Sequence, residues 1–185
     1  AFMGVVENIE YVLCKPTRPE QVQIPYTFVT YRVGEVLKGQ GPGTMVILRF
    51  IGGLNPLTGS YMATSRTPQF DLGDRDILFV QGNTERMCPL VGTKAGRLRI
   101  VNGQVYTDGG QSVTIGDNGH LGTGSHYRLK EVESTLVNGN EYRITYGANV
   151  REMPSDAVEV EKVLEEIRTL APLAEWAGEF INANP

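Results

Sequence analysis

The chain has 185 residues, 41% of them hydrophobic and 21% charged, with 22 glycines and a net charge of −4. That balance fits one globular domain, or one domain with an appendage, long enough to bury a sizeable core and rich enough in glycine for many turns. The mild acidity argues against a general nucleic-acid binder, and no apolar run has the length of a membrane span.

The chain opens on "AFMGVVENIEYVL", whose loose alternation over residues 2 to 14 predicts a first strand. A start without Met or a polar leader reads as the trace of a removed upstream segment, either a signal peptide or simply an artificial boundary. "KPTRPEQVQIP" is a proline-rich loop, and "YTFVTYRVGEVLKG" is a long second strand with Val29, Tyr31 and Val33 on one face. After Gly34 the apolar set slips by one to Val36, which predicts a bulge at Gly34-Glu35, with glycine supplying a positive φ. "GQGPG" turns the chain into "TMVILRF". There Val46, Leu48 and Phe50 form one apolar face and Met45 and Ile47 another, so both faces are expected to be covered.

Residues 52 to 69 lack periodicity and read as a long loop. "FDLGDRDILFVQG" predicts a turn at Gly73-Asp74 and a strand from Asp76 to Val80. Asn-Gly pairs at Asn102-Gly103, Asn118-Gly119 and Asn138-Gly139 announce three hairpins. From Ser155, a good N-cap, Val160, Val163, Leu164, Ile167 and Leu170 recur at helical spacing. Pro172 interrupts, and Leu173, Trp176, Ala177 and Phe180 continue the stripe, as a second helix or a bent continuation. The stripe either packs on the β-domain or binds a partner.

The expected fold is mainly β: a small, OB-like, closed antiparallel barrel with β-hairpins and C-terminal α-helices. Residues 1–152 form the barrel domain with its hairpin extension, and residues 153–185 the helical segment packed on it. The order of "AFMGVVENIE", "YRVGEVLKG" and "FDLGDRDILFV" resembles netrin-like domains, the OB-fold family that includes the tissue inhibitors of metalloproteinases. Tyr31, Val33, Val36, Leu37, Lys38, Gly39 and Leu78 fill that family's core and turn places, within residues 1 to 107. The chain is also similar to uncharacterised exported bacterial domains with the same skeleton. The inhibitors act through an N-terminal Cys-x-Cys that chelates the protease zinc. This chain begins Ala1-Phe2-Met3 and has no cysteine before Cys14, so the resemblance implies a fold and no inhibitory mechanism.

Few residues carry a chemical signal. Cys14 and Cys88 are not at a metal or redox spacing. They can form one disulfide in an exported protein, worth about 4 kcal/mol in the chain-entropy model, or stay free as small buried hydrophobes. His120, His126 and Asp117 could bind a metal if their loop folded back. Asp71, Asp74 and Asp76 lack the calcium-loop glycine spacing and read as a turn in which Asp74 bonds to backbone. Cys88 beside a histidine would be a nucleophile only if activated. Neither a nucleophile elbow nor a phosphate loop is present. In the long loop, Leu54, Pro56, Leu57, Tyr61 and Met62 either form a protein interface or fold down as a cap. Of these, Leu54, Leu57, Tyr61 and Met62 are the candidate partner-binding residues.

The reading is therefore a non-enzymatic binding or structural domain, exported to the periplasm or outside the cell, with an unidentified protein partner. It assigns no catalytic residue, metal or cofactor, and expects neither nucleic acid nor a membrane span. The alternatives are a thiol- or metal-dependent hydrolase, and an OB-type nucleic-acid binder stacking bases on Tyr26, Phe28 and Tyr31.

Overall fold

The computed structural model describes residues 1–14, 23–41, 43–83, 87–126 and 154–170, with strand backbone at 128–129, 135–137, 140–142 and 150–152. The strands are β1 (Phe2–Leu13), β2 (Pro25–Val36), β3 (Met45–Ile51), β4 (Gly53–Leu54), β5 (Tyr61–Met62), β6 (Arg75–Leu78), β7 (Arg97–Val101), β8 (Gln104–Thr107), β9 (Gln111–Ile115) and β10 (Leu121–His126). Short strands β11 (Arg128–Leu129), β12 (Thr135–Val137), β13 (Asn140–Tyr142) and β14 (Val150–Glu152) follow, and helix α1 (Val160–Thr169) comes last.

Eight strands form one antiparallel sheet in the order β10-β9-β8-β7-β6-β1-β2-β3. The expected closed barrel is not found: among the described residues β10 and β3 stand at opposite ends of this order. Tight hairpins explain the extension. Each lays the next strand against the last, so β7 to β10 grow the sheet outward. Asn102 (φ 52°) and Gly103 (φ 81°) make the two-residue turn between β7 and β8, as Asn-Gly predicts. The Asn118-Gly119 hairpin has a longer loop, closed by Gly116 N–H donating to the His120 carbonyl at 3.0 Å. Val137 pairs with Asn140 around the third Asn-Gly.

The bulge expected in β2 is present. Gly4 pairs with Val33 and Met3 with Glu35, leaving Gly34 unpaired. Its φ is not positive, however, and a Cβ there would meet nothing closer than 3.6 Å. The bulge therefore does not depend on a glycine-only conformation. A second bulge, at Glu7, lies between the Val6–Tyr31 and Asn8–Thr30 pairs.

Two apolar cores lie on opposite faces of the sheet. One gathers Phe2, Val6, Val29, Tyr31, Val46, Leu48, Phe50 and Leu78 under Phe70, Cys88 and Leu90. The other gathers Ile77, Leu98, Ile100, Val105 and Val113 under Val163, Leu164 and Ile167 of α1. Strand β6 serves both, with Leu78 on the first side and Ile77 on the second, each wholly buried.

The helical spacing read from Val160 onward is realised in α1, but its N-cap is Glu159, not Ser155. Residues 155–156 form a turn, and the chain then wedges between β8 and β9. Val158 N–H donates to the Val113 carbonyl at 2.9 Å, and the Val158 carbonyl accepts from Val105 N–H at 3.0 Å. The Leu173-Trp176-Phe180 stripe lies outside the described residues.

Candidate protein-binding surface

Strands β1, β2 and β3 bury one face under the first core. Their other face forms a regular grid. Val12, Tyr26 and Ile51 stand in one row across the three strands, and Glu10, Phe28 and Arg49 in the next. Asn8, Thr30 and Ile47 make the third row, and Arg32 with Met45 extends the grid on β2 and β3. Alternation along each strand explains why these side chains share a face. Helix α1 covers the β6–β9 part of that side and leaves this part open.

Met45 is 41% and Ile47 37% exposed, so among the described residues the second apolar face of β3 is not covered as its sequence implied. Tyr26 and Phe28 are half-buried beside them. The Arg49 guanidinium lies 5.2 Å from the centre of the Tyr26 ring. Tyr, Phe, Met and Arg are the types enriched at protein interfaces, because they offer large contact area at modest entropic cost. Polar Asn8, Glu10 and the Glu7–Arg32 ion pair border the apolar centre. Tyr31, grouped with Tyr26 and Phe28 in the nucleic-acid reading, is on the opposite face and wholly buried, so the three cannot form one stacking platform.

The loop after β3 holds a short hairpin, β4–β5, in which Leu54 pairs with Tyr61 and Gly53 with Met62. Tyr61 folds onto Tyr11 edge-to-face at 6.4 Å, and Leu54 and Tyr61 are half-buried. Met62 is 37% and Leu57, at the tip, 79% exposed. The paired glycines are there for close approach. At Gly53 (φ 120°) an added Cβ would strike Thr27 Oγ1 and lie 2.6 Å from the Tyr11 ring. At Gly52 (φ 96°) it would lie 2.6 Å from the Met62 carbonyl oxygen. The hollow lined by Tyr11, Thr27, Tyr61, Met62 and Phe70 has about 20 Å³ for the centre of a water-sized sphere. That is room for one or two waters, far below a small-molecule site.

The two histidines are not brought together. His120 precedes β10 and His126 ends it, which places them roughly 20 Å apart by strand rise. Among the described residues no three His, Cys, Asp or Glu side chains form a metal-holding group. Cys14 and Cys88 are both free. Burial pushes the Cys88 thiol up, the reverse of what a nucleophile needs.

The Asp71-Asp74-Asp76 turn read from the sequence is present, but it belongs to a charged constellation whose other members, Arg97, Arg99, Asp108 and Tyr31, sequence reasoning missed. Arg97 is buried with its guanidinium 4.4 Å from the centre of the Phe70 ring. Its Nη2 donates to Asp74 Oδ2 at 2.6 Å and lies 2.9 Å from Asp76 Oδ2. Its Nη1 donates to the Gln69 carbonyl at 2.5 Å and to Asp108 Oδ1 at 3.2 Å. Tyr31 Oη donates to Asp76 Oδ2 at 2.7 Å, and Arg99 Nη2 to Asp74 Oδ1 at 3.1 Å. Asp74 also accepts from Asp71 N–H at 3.0 Å, the backbone bond expected of that turn.

Burial alone would raise the Asp74 carboxyl, but Arg97 and Arg99 hold it below its ordinary value. Burial raises Asp76 despite Arg97, and burial with nearby Asp76 lifts the Tyr31 phenol well above its usual range. The cluster is largely buried and ties β2, β6, β7 and the 69–74 segment together. Alternating Arg97 and Arg99 in "RLRIV" was the available signal, since two charges on one face of a strand need partners there.

Comparison with protein-family models, curated proteins and solved structures returned no match. Among the described residues no helix is long and apolar enough to cross a membrane.

Proposed function

We propose that this is a non-enzymatic binding domain that takes a protein partner on the outer face of β1, β2 and β3. The observation that carries the reading is Met45 and Ile47 standing exposed beside Tyr26, Phe28 and Arg49 on a face whose other half is covered by α1. An apolar centre with a polar border is the ordinary anatomy of such a contact. The β4–β5 tip is a second reading, favoured by the exposure of Leu57. The resemblance to netrin-like domains stays a proposal. It rests on the order of the segments "AFMGVVENIE", "YRVGEVLKG" and "FDLGDRDILFV".

The test is capture of binding proteins from source-cell extract by wild type, by Met45→Glu/Ile47→Glu and by Leu57→Glu, each first shown to melt like wild type. Loss of one partner with the double variant alone supports the sheet face. Loss with Leu57→Glu alone moves the site to the hairpin. Failure of wild type to retain any partner counts against a protein-binding role.

A further inference from the structure

Helix α1 carries the chain toward the open face of β1–β3. It begins beside β8, where Glu159 bridges to Gln104 and Val160 N–H donates to the Gly103 carbonyl at 2.9 Å. It ends over β2. Arg168 Nε donates to Glu35 Oε1 at 3.1 Å, and Leu37, just past β2, packs in the same core as Ile167. The helix therefore crosses the strands in the order β8, β7, β6, β1, β2. Leu170 then leaves helical geometry, with φ −55° and ψ 132°. Residues 171–185 follow in the sequence and lie outside the described ones. In them Leu173, Trp176, Ala177 and Phe180 recur at i, i+3, i+4 and i+7, one face of a helix, with Glu175 and Glu179 on the other.

We propose that this stripe is the occupant of the outer face of β1–β3 in the free protein, a cover supplied by the chain itself. Position, length and chemistry select it. Met45 lies opposite Arg32, three places from Glu35 along β2, so roughly 10 Å separates the end of α1 from the near rim of the face. Leu173 is three residues beyond Leu170, and three residues span up to roughly 10 Å. The face runs from Met45 to Ile51, roughly 20 Å by strand rise, and the residues from 171 onward would cover roughly 22 Å as helix. Exposed Met45 and Ile47, with half-buried Tyr26 and Phe28, offer an apolar bed for Trp176 and Phe180, while the two glutamates stay in water. A stripe tethered at the rim competes at an effective concentration on the order of millimolar, ahead of a free molecule of the same chemistry. The placement does not depend on the partner proposed above; a partner taking this face would enter by displacing the stripe.

Trp176 is the only tryptophan, so its fluorescence reports on the stripe alone. The experiment measures its emission wavelength and its quenching by acrylamide, a neutral quencher that added glutamates do not repel. It uses the full chain as wild type, Met45→Glu/Ile47→Glu and Leu57→Glu, over a wide range of protein concentration. Wild-type Trp176 should emit at short wavelength and resist quenching at every concentration. The double variant should shift the emission to longer wavelength and raise the quenching constant several-fold, and Leu57→Glu should do neither. If the double variant melts below wild type, Ile47→Gln serves as the milder change with the same expectation. Three results overturn the proposal: a wild-type Trp176 as accessible as in urea, shielding that the face variants leave intact, or shielding that appears only as concentration rises. Capture of a partner by a protein whose Trp176 is open would uphold the binding role and sink the cover. Shielding lost in the double variant, with no partner captured, would do the reverse.

Discussion

Replacing Arg97 by Met keeps the length of the side chain and its contact with Phe70 but removes a buried charge from among Asp74, Asp76 and Asp108. Removing one partner of a buried pair costs about 3–5 kcal/mol, because the carboxylates left behind stay dehydrated and unpaired. A chain of this size moves in melting temperature by about 2–4 °C per kcal/mol, so Arg97→Met should melt on the order of 10 °C below wild type at pH 7. Circular dichroism melts and urea titrations measure this directly. The deficit should shrink in Arg97→Met/Asp76→Asn, since the second change removes the carboxylate charge that Arg97 faces at 2.9 Å while the amide oxygen still accepts from Tyr31 Oη. It should also shrink on acidification, as the orphaned carboxyls take up protons. An Arg97→Met protein melting within about 2 °C of wild type at pH 7, or a strictly additive double variant, would refute the view that Arg97 holds this seam.

Asp74 gives a pH prediction of definite sign. Its carboxyl is held below its ordinary value by Arg97 and Arg99, so its stabilisation is present above the unfolded carboxylate range and is lost as pH falls through the lower folded value. Asp74→Asn should therefore be least stable relative to wild type near neutrality, and the gap should close below about pH 4, as read by melts from pH 7 to pH 2. Gly53→Ala should lose roughly 2 kcal/mol or more in urea titration, because its positive φ and the contacts with Thr27 and Tyr11 leave no room for a methyl group. Ile167→Ala, which opens a cavity where α1 meets the sheet, should lose about 2–5 kcal/mol. A thiol reagent should label half-buried Cys14 well before Cys88, whose thiol is buried and raised; equal rates would contradict the burial of Cys88.

Local chemistry was readable from residues alone. Asn102-Gly103 makes a hairpin wherever two alternating strands flank it, because positive φ at both positions matches the twist of the ladder. The slip after Gly34 betrayed a bulge, and the spacing of Val163, Leu164 and Ile167 betrayed the buried stripe of α1. These signals depend on the period of the backbone and on neighbours within a few residues, so the sequence by itself determined them.

What the sequence left open depends on which faces meet. Met45 and Ile47 are apolar, and only the docking of α1 over β6–β9 decides that they remain exposed while Ile77 is buried. Whether the hairpins close a barrel depends on the ends of the sheet meeting, which no single turn controls. Asp74, Asp76, Arg97 and Asp108 are ordinary polar residues along the chain. Their union beneath Phe70 and Tyr31 arises because β6 and β7 pair in a register that sets Leu78 opposite Arg97 and Asp76 opposite Arg99. Buried charge is stable only where distant segments bring its partners within hydrogen-bond reach, and that is a property of the tertiary structure alone.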